Sequence, residues 1–413
     1  MHIGFLSTVD PNDPDRLSGM PAAMKRSLTA LGAEVSDLVP ATGYRPTLAR
    51  RVAVRLLRGT RRLTGWRDER HASADPLFDD PSQAEAAFLA RAAELSSDVA
   101  AQLDGRRFDL LFGCCVSTLL FRLETDLPIV YAGDTTARLI NRDYPEYQRK
   151  PAGYHRATDC VEATGLGRVA QAVFATQLAR ASAIEDYGLG PELAHVVPMG
   201  ANIAPDEGHP GGPKECPERP LLRLAITAID PVRKQTDLVV EITERLVALG
   251  WQARLTVIGH GTDRVRRSPV ADATGFLRSA NPLHRELHRE ALQGSHLLLQ
   301  PSLGEAFGIA PCEAAQWGVP SLVSDTGGLP EVVAHGETGL VLPRDADADA
   351  YVKAITRLVE RPEEYRRMSR AAWQRAGERF TWERWGEQVA PVLEAALGGD
   401  PVSGAQTAGA ANS

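Results

Sequence analysis

Short apolar runs alternate with amphipathic stretches along most of this chain. Brief apolar runs bounded by glycine, proline or polar residues are typical of strands buried on both faces. In the first half they fall at residues 2–7, 35–39, 108–113, 128–131, 174–176 and 195–198. In the second half they fall at residues 222–227, 253–258, 297–300 and 321–324. Helical patterns separate them, most clearly at residues 21–31 and 83–103, so the order predicts parallel βαβ units.

A segment rich in proline, glycine and charge, residues 204–220, lies between the two halves and predicts a linker. A chain of 413 residues is too long for one hydrophobic core. We therefore predict an α/β fold with one domain over residues 1–203 and a second over residues 221–380. The small, polar tail at residues 398–413 predicts disorder.

Composition narrows the class of protein. The net charge of −7 gives no reason to expect a nucleic-acid partner. The five cysteines show neither C-x-x-C pairs nor histidines at zinc spacing, which is typical of reduced cytosolic thiols. The chain opens directly with a strand pattern, so we expect no signal peptide, and no apolar run approaches the ~20 residues of a membrane span. These features predict a cytoplasmic protein.

The most informative stretch is residues 301–343, which reads PSLGEAFGIAPCEAAQWGVPSLVSDTGGLPEVVAHGETGLVLP. A glycine loop around Gly304 and Gly308 follows one predicted strand and opens a helix. A second glycine loop, TGG at residues 326–328, follows the next strand and opens another helix. Free N–H groups converge at such helix starts, where the helix dipole adds roughly half a positive charge. The pattern therefore predicts an anion site.

Two glutamates flank the first loop. Glu305 lies in the loop and Glu313 in the first turn of the helix, with seven residues between them. Carboxylate acceptors on both sides of an anion site suit a ligand with phosphates and hydroxyls, such as a nucleotide-sugar. Taken singly, Glu313 is also explained by the preference of acids for a helix start, and Glu305 by a solvated loop.

Together these motifs resemble the donor-binding segment of family-4 retaining glycosyltransferases, in which E-x7-E precedes a TGG-x-PE loop and a G-x-x-G-L-x-V-P turn. The corresponding strings here are Glu305 to Glu313, TGGLPE at residues 326–331 and GETGLVLP at residues 336–343. SGMP at residues 18–21, VPMG at 197–200 and FTW at 380–382 resemble outer motifs of the family. The resemblance implies a GT-B fold, two Rossmann-like domains that face each other across a cleft, with a last helix at residues 381–397 that packs back on the first domain.

The resemblance also implies roles for individual residues. Glu313 is expected to hold ribose hydroxyls and Glu305 the sugar ring, while backbone atoms near Phe276 hold the nucleobase. Ordinary core packing is the alternative for Phe276. The complete set of expected donor-binding residues is Gly19, Gly259, Phe276, Leu277, Phe307, Gly308, Ile309, Ala310 and Glu313.

Arg233 and Lys234 follow the first strand of the second half and resemble the pair that clamps the leaving diphosphate in this family. Arginine offers a planar fork to phosphate and lysine a point charge. Several members carry a further arginine upstream, where this chain has Ala228 or Ile229. Asp134 follows a strand of the first half and is expected to touch the transferred sugar, or else to cap the next helix.

These features predict a retaining hexosyltransferase of the EC 2.4 class. It would use a UDP- or GDP-linked sugar without a cofactor or metal, since Asp345 and Asp347 form a D-x-D only in a late loop. A small-molecule acceptor is favoured, and a cell-envelope or lipid acceptor at a membrane surface is the alternative. The arginine-rich segment at residues 45–70 is amphipathic enough to touch an anionic membrane, or else is a solvated arm. A nucleotide-sugar epimerase or hydrolase, or a non-catalytic binder, also stays open, as does the oligomeric state.

Overall fold

The computed structural model describes residues 1–41, 76–203 and 211–398. Over these residues the chain forms two parallel sheets of six strands each, in the orders β2-β1-β3-β4-β5-β6 and β12-β11-β10-β7-β8-β9. The arginine-rich segment at residues 45–70 lies outside the described residues, as do residues 204–210 of the predicted linker and residues 399–413 of the predicted tail. Within the described ranges, no helix combines the length and the apolar character needed to cross a bilayer.

The strands of the first sheet are β1 His2–Leu6, β2 Glu34–Leu38, β3 Leu110–Cys114, β4 Ile129–Gly133, β5 Gln171–Phe174 and β6 Ala194–Val196. Those of the second are β7 Leu221–Ala228, β8 Gln252–Gly259, β9 Ala271–Ala273, β10 Leu297–Gln300, β11 Ser321–Ser324 and β12 Gly339–Leu342. All pairs between neighbouring strands are parallel, as the βαβ pattern predicts.

The helices of the first domain are α1 Met20–Ala30, α2 Ala84–Leu103, α3 Ser117–Leu120, α4 Ala137–Asp143, α5 Pro145–Gln148, α6 Ala152–Leu166 and α7 Gln177–Glu185. The second domain carries α8 Thr236–Ala248, α9 Asp263–Arg267, α10 Pro282–Gln293, α11 Ile309–Gln316, α12 Leu329–Val332, α13 Ala348–Val359 and α14 Pro362–Arg379, and α15 Trp382–Gly398 ends the described chain. Short 3₁₀ segments lie at Leu17–Gly19 and Pro76–Asp79.

The apolar pattern did not reveal two strands, β9 and β12, and both lie at the edges of the second sheet. An edge strand is covered on fewer sides, so it needs no continuous apolar run. Accordingly, β9 has exposed residues at two of its three positions, and the two central residues of β12 are only partly buried. The strand predicted at residues 174–176 also starts too late in the sequence, because the observed strand β5 begins at the polar residue Gln171.

The last helix, α15, packs on the first domain. Trp385 meets Phe112 of β3 edge to face, with ring centroids 6.0 Å apart, and the Ser27 hydroxyl donates to the Trp382 carbonyl at 3.0 Å. The crossing is tight, because a Cβ at Gly200 would lie 2.5 Å from the Trp382 nitrogen. Phe307 of the second domain joins the same buried cluster through Phe380, at 6.1 Å between ring centroids.

The two glycine loops of the second domain touch each other. The Gly328 N–H donates to the Glu305 carbonyl at 3.2 Å, and Gly327 adopts a φ of +53° directly against that carbonyl. A Cβ at Gly327 would lie 1.6 Å from the Glu305 carbonyl oxygen. No side chain fits this contact, so the geometry of the first loop depends on a glycine in the second.

We predict that Gly327→Ala lowers the free energy of unfolding by on the order of 3 kcal/mol or more, because the backbone of both loops must shift. Gly336→Ala is the matched control, since Gly336 has a φ of +76° but nothing within 4 Å of its would-be Cβ. It should cost only the roughly 1–2 kcal/mol of a left-handed conformation. Urea unfolding measures both, and equal losses would contradict the packing argument.

Candidate functional site

The carboxyl ends of the two parallel sheets face each other, which is where open α/β sheets bind ligands. Contacts across the gap come from the loops that follow the strands. The Asp15 carboxylate, after β1, accepts from the Ser279 N–H at 2.5 Å, and Arg344, after β12, donates to the Asp143 carbonyl at 3.1 Å. Arg344 also donates to the carbonyl of Leu303 in its own domain, at 2.6 Å. The cleft between the domains therefore collects the polar loops of both.

A compact group of charges lies on the second-domain side of this cleft. Glu305 forms an ion pair with Lys234 and accepts from the Ser302 hydroxyl at 3.3 Å, and Arg233 Nη1 lies 3.7 Å from its carboxylate. Arg233 Nη1 also donates to the Gly304 carbonyl at 2.6 Å. The contacts that Lys234, Ser302 and Arg233 make with Glu305 all involve its Oε2 atom. The other carboxylate oxygen, Oε1, is left to accept from a ligand hydroxyl. The structure thus brings together three residues that the sequence predicted to act jointly.

Burial and the neighbouring charges shift the pKa values of Glu305 and Lys234 in opposite directions. Burial favours the neutral form of Glu305, but Lys234 and Arg233 outweigh it and lower the pKa of this carboxyl below its ordinary value. Burial lowers the pKa of Lys234, and the Glu305 carboxylate opposes that shift. Two cations therefore lie against one carboxylate, and the more exposed carboxylates of Asp230 and Glu146 lie 3.8 and 4.0 Å from Arg233.

Asp134 is the first-domain residue of this site, and it begins the loop after β4. It is partly buried, and the Cys115 thiol lies 3.7 Å from its Oδ1. Burial raises the pKa of Asp134 to about 6, and the charge of Glu305 adds to the shift. The cap of the following helix is Thr136, whose hydroxyl accepts from the Leu139 N–H, so Asp134 is not needed as the cap.

Glu313 is buried in α11 and contacts residues 202–203 at the end of the first domain, which we call the hinge. Its Oε1 accepts from the Ile203 N–H at 3.2 Å, and its Oε2 lies 3.6 Å from Nε2 of His288. Burial raises the pKa of Glu313 to about 8, against smaller opposing contributions from the Ile203 and Asn202 amides. Burial also lowers the pKa of His288 to about 4, so that ring stays neutral. The hinge contact of Glu313 was not predicted from the sequence.

The helix start at Gly308 is where the sequence predicted an anion site, and its backbone geometry fits that prediction. Gly308 caps α11 with a φ of +115°, and the first intrahelical bond runs from Cys312 N–H to its carbonyl, at 3.4 Å. The N–H groups of Ile309 and Ala310 precede that bond, so they have no acceptor within the helix. The Phe307 side chain is in the core, which leaves only its backbone for a ligand.

The remaining predicted donor residues lie on the other loops of the cleft. Gly259 ends β8 with a φ of +130°, and its would-be Cβ would lie 2.2 Å from the Ala228 carbonyl. The Phe276 ring lies nearly parallel to that of His260, at 6.1 Å, and Leu277 packs against the core beside Ile258. Gly19 precedes α1 and packs against Asn202, whose amide donates to the Ser18 carbonyl at 2.5 Å.

Glu331 connects the two domains in a way that the sequence did not predict. Its carboxylate accepts from the N–H groups of Gln177 and Leu178, at 2.7 and 3.0 Å, which are the first two amides of helix α7. A carboxylate at a helix start is favoured by free donors and by the dipole. Glu331 stood in the recognised TGG-x-PE string, but its partners are more than 150 residues away in sequence.

Comparison with known families gives one domain match. The family model described as "Glycosyl transferases group 1" matches residues 215–375. D-inositol 3-phosphate glycosyltransferase of Streptomyces bingchenggensis is 25% identical over 295 residues, which cover 66% of this chain and 62% of that protein. The chain thus spans less than two thirds of the length of this curated relative. The domain match confirms the resemblance that was predicted from residues 301–343.

Comparison with solved structures bears on the fold. Sucrose-phosphate synthase from Thermosynechococcus elongatus aligns over 95% of this chain and 98% of its own, with a TM-score of 0.66 and 16% identity. Anabaena Alr3699/HepE, solved in complex with UDP and glucose, aligns over 96% of this chain and 100% of its own, with a TM-score of 0.59 and 13% identity. The predicted arrangement of two Rossmann-like domains is confirmed.

The buried carboxyl of Glu313 yields a prediction about stability. Its pKa in the folded protein, about 8, exceeds the ordinary value of 4.5. Its stabilising contribution is therefore fully present below about pH 4.5 and is lost as the pH rises through about 8. Glu313→Gln keeps a neutral acceptor for the Ile203 N–H and removes this titration.

We expect the wild type to lose stability relative to Glu313→Gln between pH 5 and 8, by on the order of a few kcal/mol. Urea unfolding of both proteins at pH 5, 6.5 and 8 measures the difference directly. Parallel curves for the two proteins would show that Glu313 does not titrate in this range.

Proposed function

We propose that this chain, whose residues 215–375 belong to the glycosyl transferases group 1 family, is a retaining glycosyltransferase that moves a hexose from a nucleoside-diphosphate sugar to an acceptor. The observation that carries the proposal is the buried group of Glu305, Lys234 and Arg233, in which two cations surround one carboxylate at the cleft. A sugar diphosphate presents the matching chemistry, with anionic oxygens next to hydroxyls.

The geometry supports a division of labour within the donor. The cationic side chains of Arg233 and Lys234 suit the diphosphate, and the helix start at Gly308 offers it backbone N–H groups. The free oxygen of Glu305 suits a hydroxyl of the sugar ring. Oε2 of Glu313, which the hinge amide leaves unused, suits a ribose hydroxyl. A UDP- or GDP-linked sugar has all three groups.

The proposed chemistry is the one that the family resemblance implies, and these positions are compatible with it. As the bond between the anomeric carbon and the diphosphate breaks, negative charge builds on the leaving oxygen, where Arg233 and Lys234 stabilise it without a metal ion. The acceptor hydroxyl attacks from the same face, a new glycosidic bond forms, and the hydroxyl proton passes to the departing diphosphate. Such a reaction retains the anomeric configuration and needs no protein nucleophile.

Asp134 is proposed to bind the transferred sugar from the first-domain side. With a pKa of about 6 it is mostly ionised at neutral pH, and its carboxylate accepts hydroxyl hydrogen bonds. The acceptor enters beside it, and we favour a small polar molecule. A cell-envelope or lipid acceptor, or an epimerase or hydrolase that needs no acceptor, gives a different result in the following test.

The purified protein is incubated with UDP- and GDP-linked hexoses, with and without candidate acceptors, and the release of nucleoside diphosphate is followed. Acceptor-dependent release with a new α-linked product from an α-linked donor supports the proposal. Release that needs no acceptor indicates a hydrolase, and conversion of the donor without release indicates an epimerase. Stimulation by anionic vesicles together with a lipid acceptor would favour the membrane-surface alternative.

Lys234 and Glu313 should affect different kinetic constants. Interactions that strengthen only as the bond breaks raise kcat, so Lys234→Ala should lower kcat by roughly 10²- to 10³-fold at saturating donor. Glu313→Ala removes a contact that is already present with bound donor, so it should raise the donor KM by roughly 5- to 100-fold. A Lys234→Ala variant with normal kcat and an intact circular dichroism spectrum would place the clamp elsewhere.

Activity should survive exhaustive treatment with EDTA, because the proposed charge neutralisation comes from Arg233, Lys234 and backbone N–H groups. The measurement is the initial rate before and after chelation, with dialysis into metal-free buffer as the control. A loss of activity that Mg²⁺ or Mn²⁺ restores, with unchanged folding, would refute this assignment.

A further inference from the structure

Tyr144 is a first-domain residue at the contact between the domains. It lies between helices α4 and α5 of the first domain, as the C-cap of the former and the N-cap of the latter. Its N–H donates to the Ile140 carbonyl at 3.0 Å, and its own carbonyl accepts from the Tyr147 and Gln148 N–H groups, each at 3.0 Å. The position of the ring is therefore set by the first-domain backbone.

The ring of Tyr144 faces the second domain. The guanidinium carbon of Arg233 lies 5.1 Å from the ring centroid, within the range of a cation–π contact. The approach to the donor loop is also close, because a Cβ at Gly304 would lie 3.1 Å from Cδ2 of Tyr144. Gly304 is the residue whose carbonyl accepts from Arg233 Nη1, so ring, loop and guanidinium form one contact.

Arg233 needs such a constraint, because its other partners do not fix it. Its Nε lies 3.8 Å from Asp230 and 4.0 Å from Glu146, and Nη1 lies 3.7 Å from Glu305, all beyond a close hydrogen bond. The Gly304 carbonyl accepts a hydrogen bond from Nη1 and so fixes one end of the guanidinium. A flat ring against the guanidinium limits its remaining rotation without competing for the N–H donors that a diphosphate would use.

We propose that Tyr144 is a positioning residue that orients Arg233 toward the donor diphosphate, and that it does so only when the two domains are closed. The inference rests on the proposed function and extends it. Tyr144 and Arg233 belong to different domains, so opening the cleft separates them. The cationic group would then be complete only in the closed enzyme, which links closure to leaving-group stabilisation.

Two substitutions of Tyr144 distinguish the effect of its aromatic ring on kcat from the effect of its side-chain volume. Tyr144→Phe keeps the aromatic face and should retain near-normal kcat. Tyr144→Leu keeps an apolar side chain without the ring quadrupole and should lower kcat by roughly 2- to 30-fold, with a smaller effect on the donor KM. Phe121→Leu, which removes a ring that faces Arg122 within the first domain, is the matched control and should leave kcat unchanged.

A double-mutant cycle tests whether Tyr144 acts through Arg233. The effect of Tyr144→Leu on kcat should disappear in an Arg233→Met background, because the partner of the ring is already gone. An undiminished effect in that background, or an equal loss in Tyr144→Phe, would overturn the proposal. Circular dichroism and thermal unfolding of each variant identify any loss caused by misfolding.

The same cycle can be measured without turnover, by calorimetry with UDP or GDP as the probe. If the two substitutions have non-additive effects on the affinity for nucleoside diphosphate, the positioning role is supported even where no acceptor is known. If their effects on both kcat and affinity are additive, the positioning role is contradicted. Lack of turnover of every nucleotide-sugar by the wild type would instead count against the proposed function, so the two failures are distinguishable.

Discussion

The burial of the Glu305 charge constrains the whole centre of this molecule. A carboxylate taken out of water is unfavourable by several kcal/mol unless cations and donors surround it. Lys234, Arg233 and the Ser302 hydroxyl meet that need. They come from the loops after β7 and β10, neighbouring strands of one parallel sheet. The ion group therefore fixes the relative position of these two loops, and it places the side chains of Arg233 and Lys234 at the cleft.

Contacts between the domains extend this order outward from the ion group. Glu313 accepts from the hinge amide of Ile203, and next to it the side chain of Asn202 joins the Ser18 carbonyl and the indole N–H of Trp382. These hydrogen bonds thus link helix α11, residues 202–203, the turn at Ser18 and the last helix, α15. A change at the buried carboxyl of Glu313 therefore acts directly on the segment that joins the two domains.

The sequence was sufficient for the fold, and it identified a string of second-domain residues that the structure brings to the cleft, because both depend on local patterns. Buried parallel strands give continuous apolar runs, and the residues from Glu305 to Glu331 form one string. Strands β9 and β12, at the edges of the second sheet, escaped because they lack such runs. Tyr144 and the partners of Glu331 escaped for another reason, since their contacts depend on how two separate domains meet. No spacing along the chain encodes that arrangement, and Tyr144 lies in no recognisable motif.

The contact of Glu331 with helix α7 has an evolutionary consequence. Its two donors are backbone N–H groups, at Gln177 and Leu178, so the contact does not depend on the side chains at those positions. The first domain can therefore diverge in sequence while the helix start still meets the same carboxylate. Such a joint lets the second domain be combined with first domains of differing sequence. A substitution in the first domain leaves the contact intact as long as a helix begins at this point.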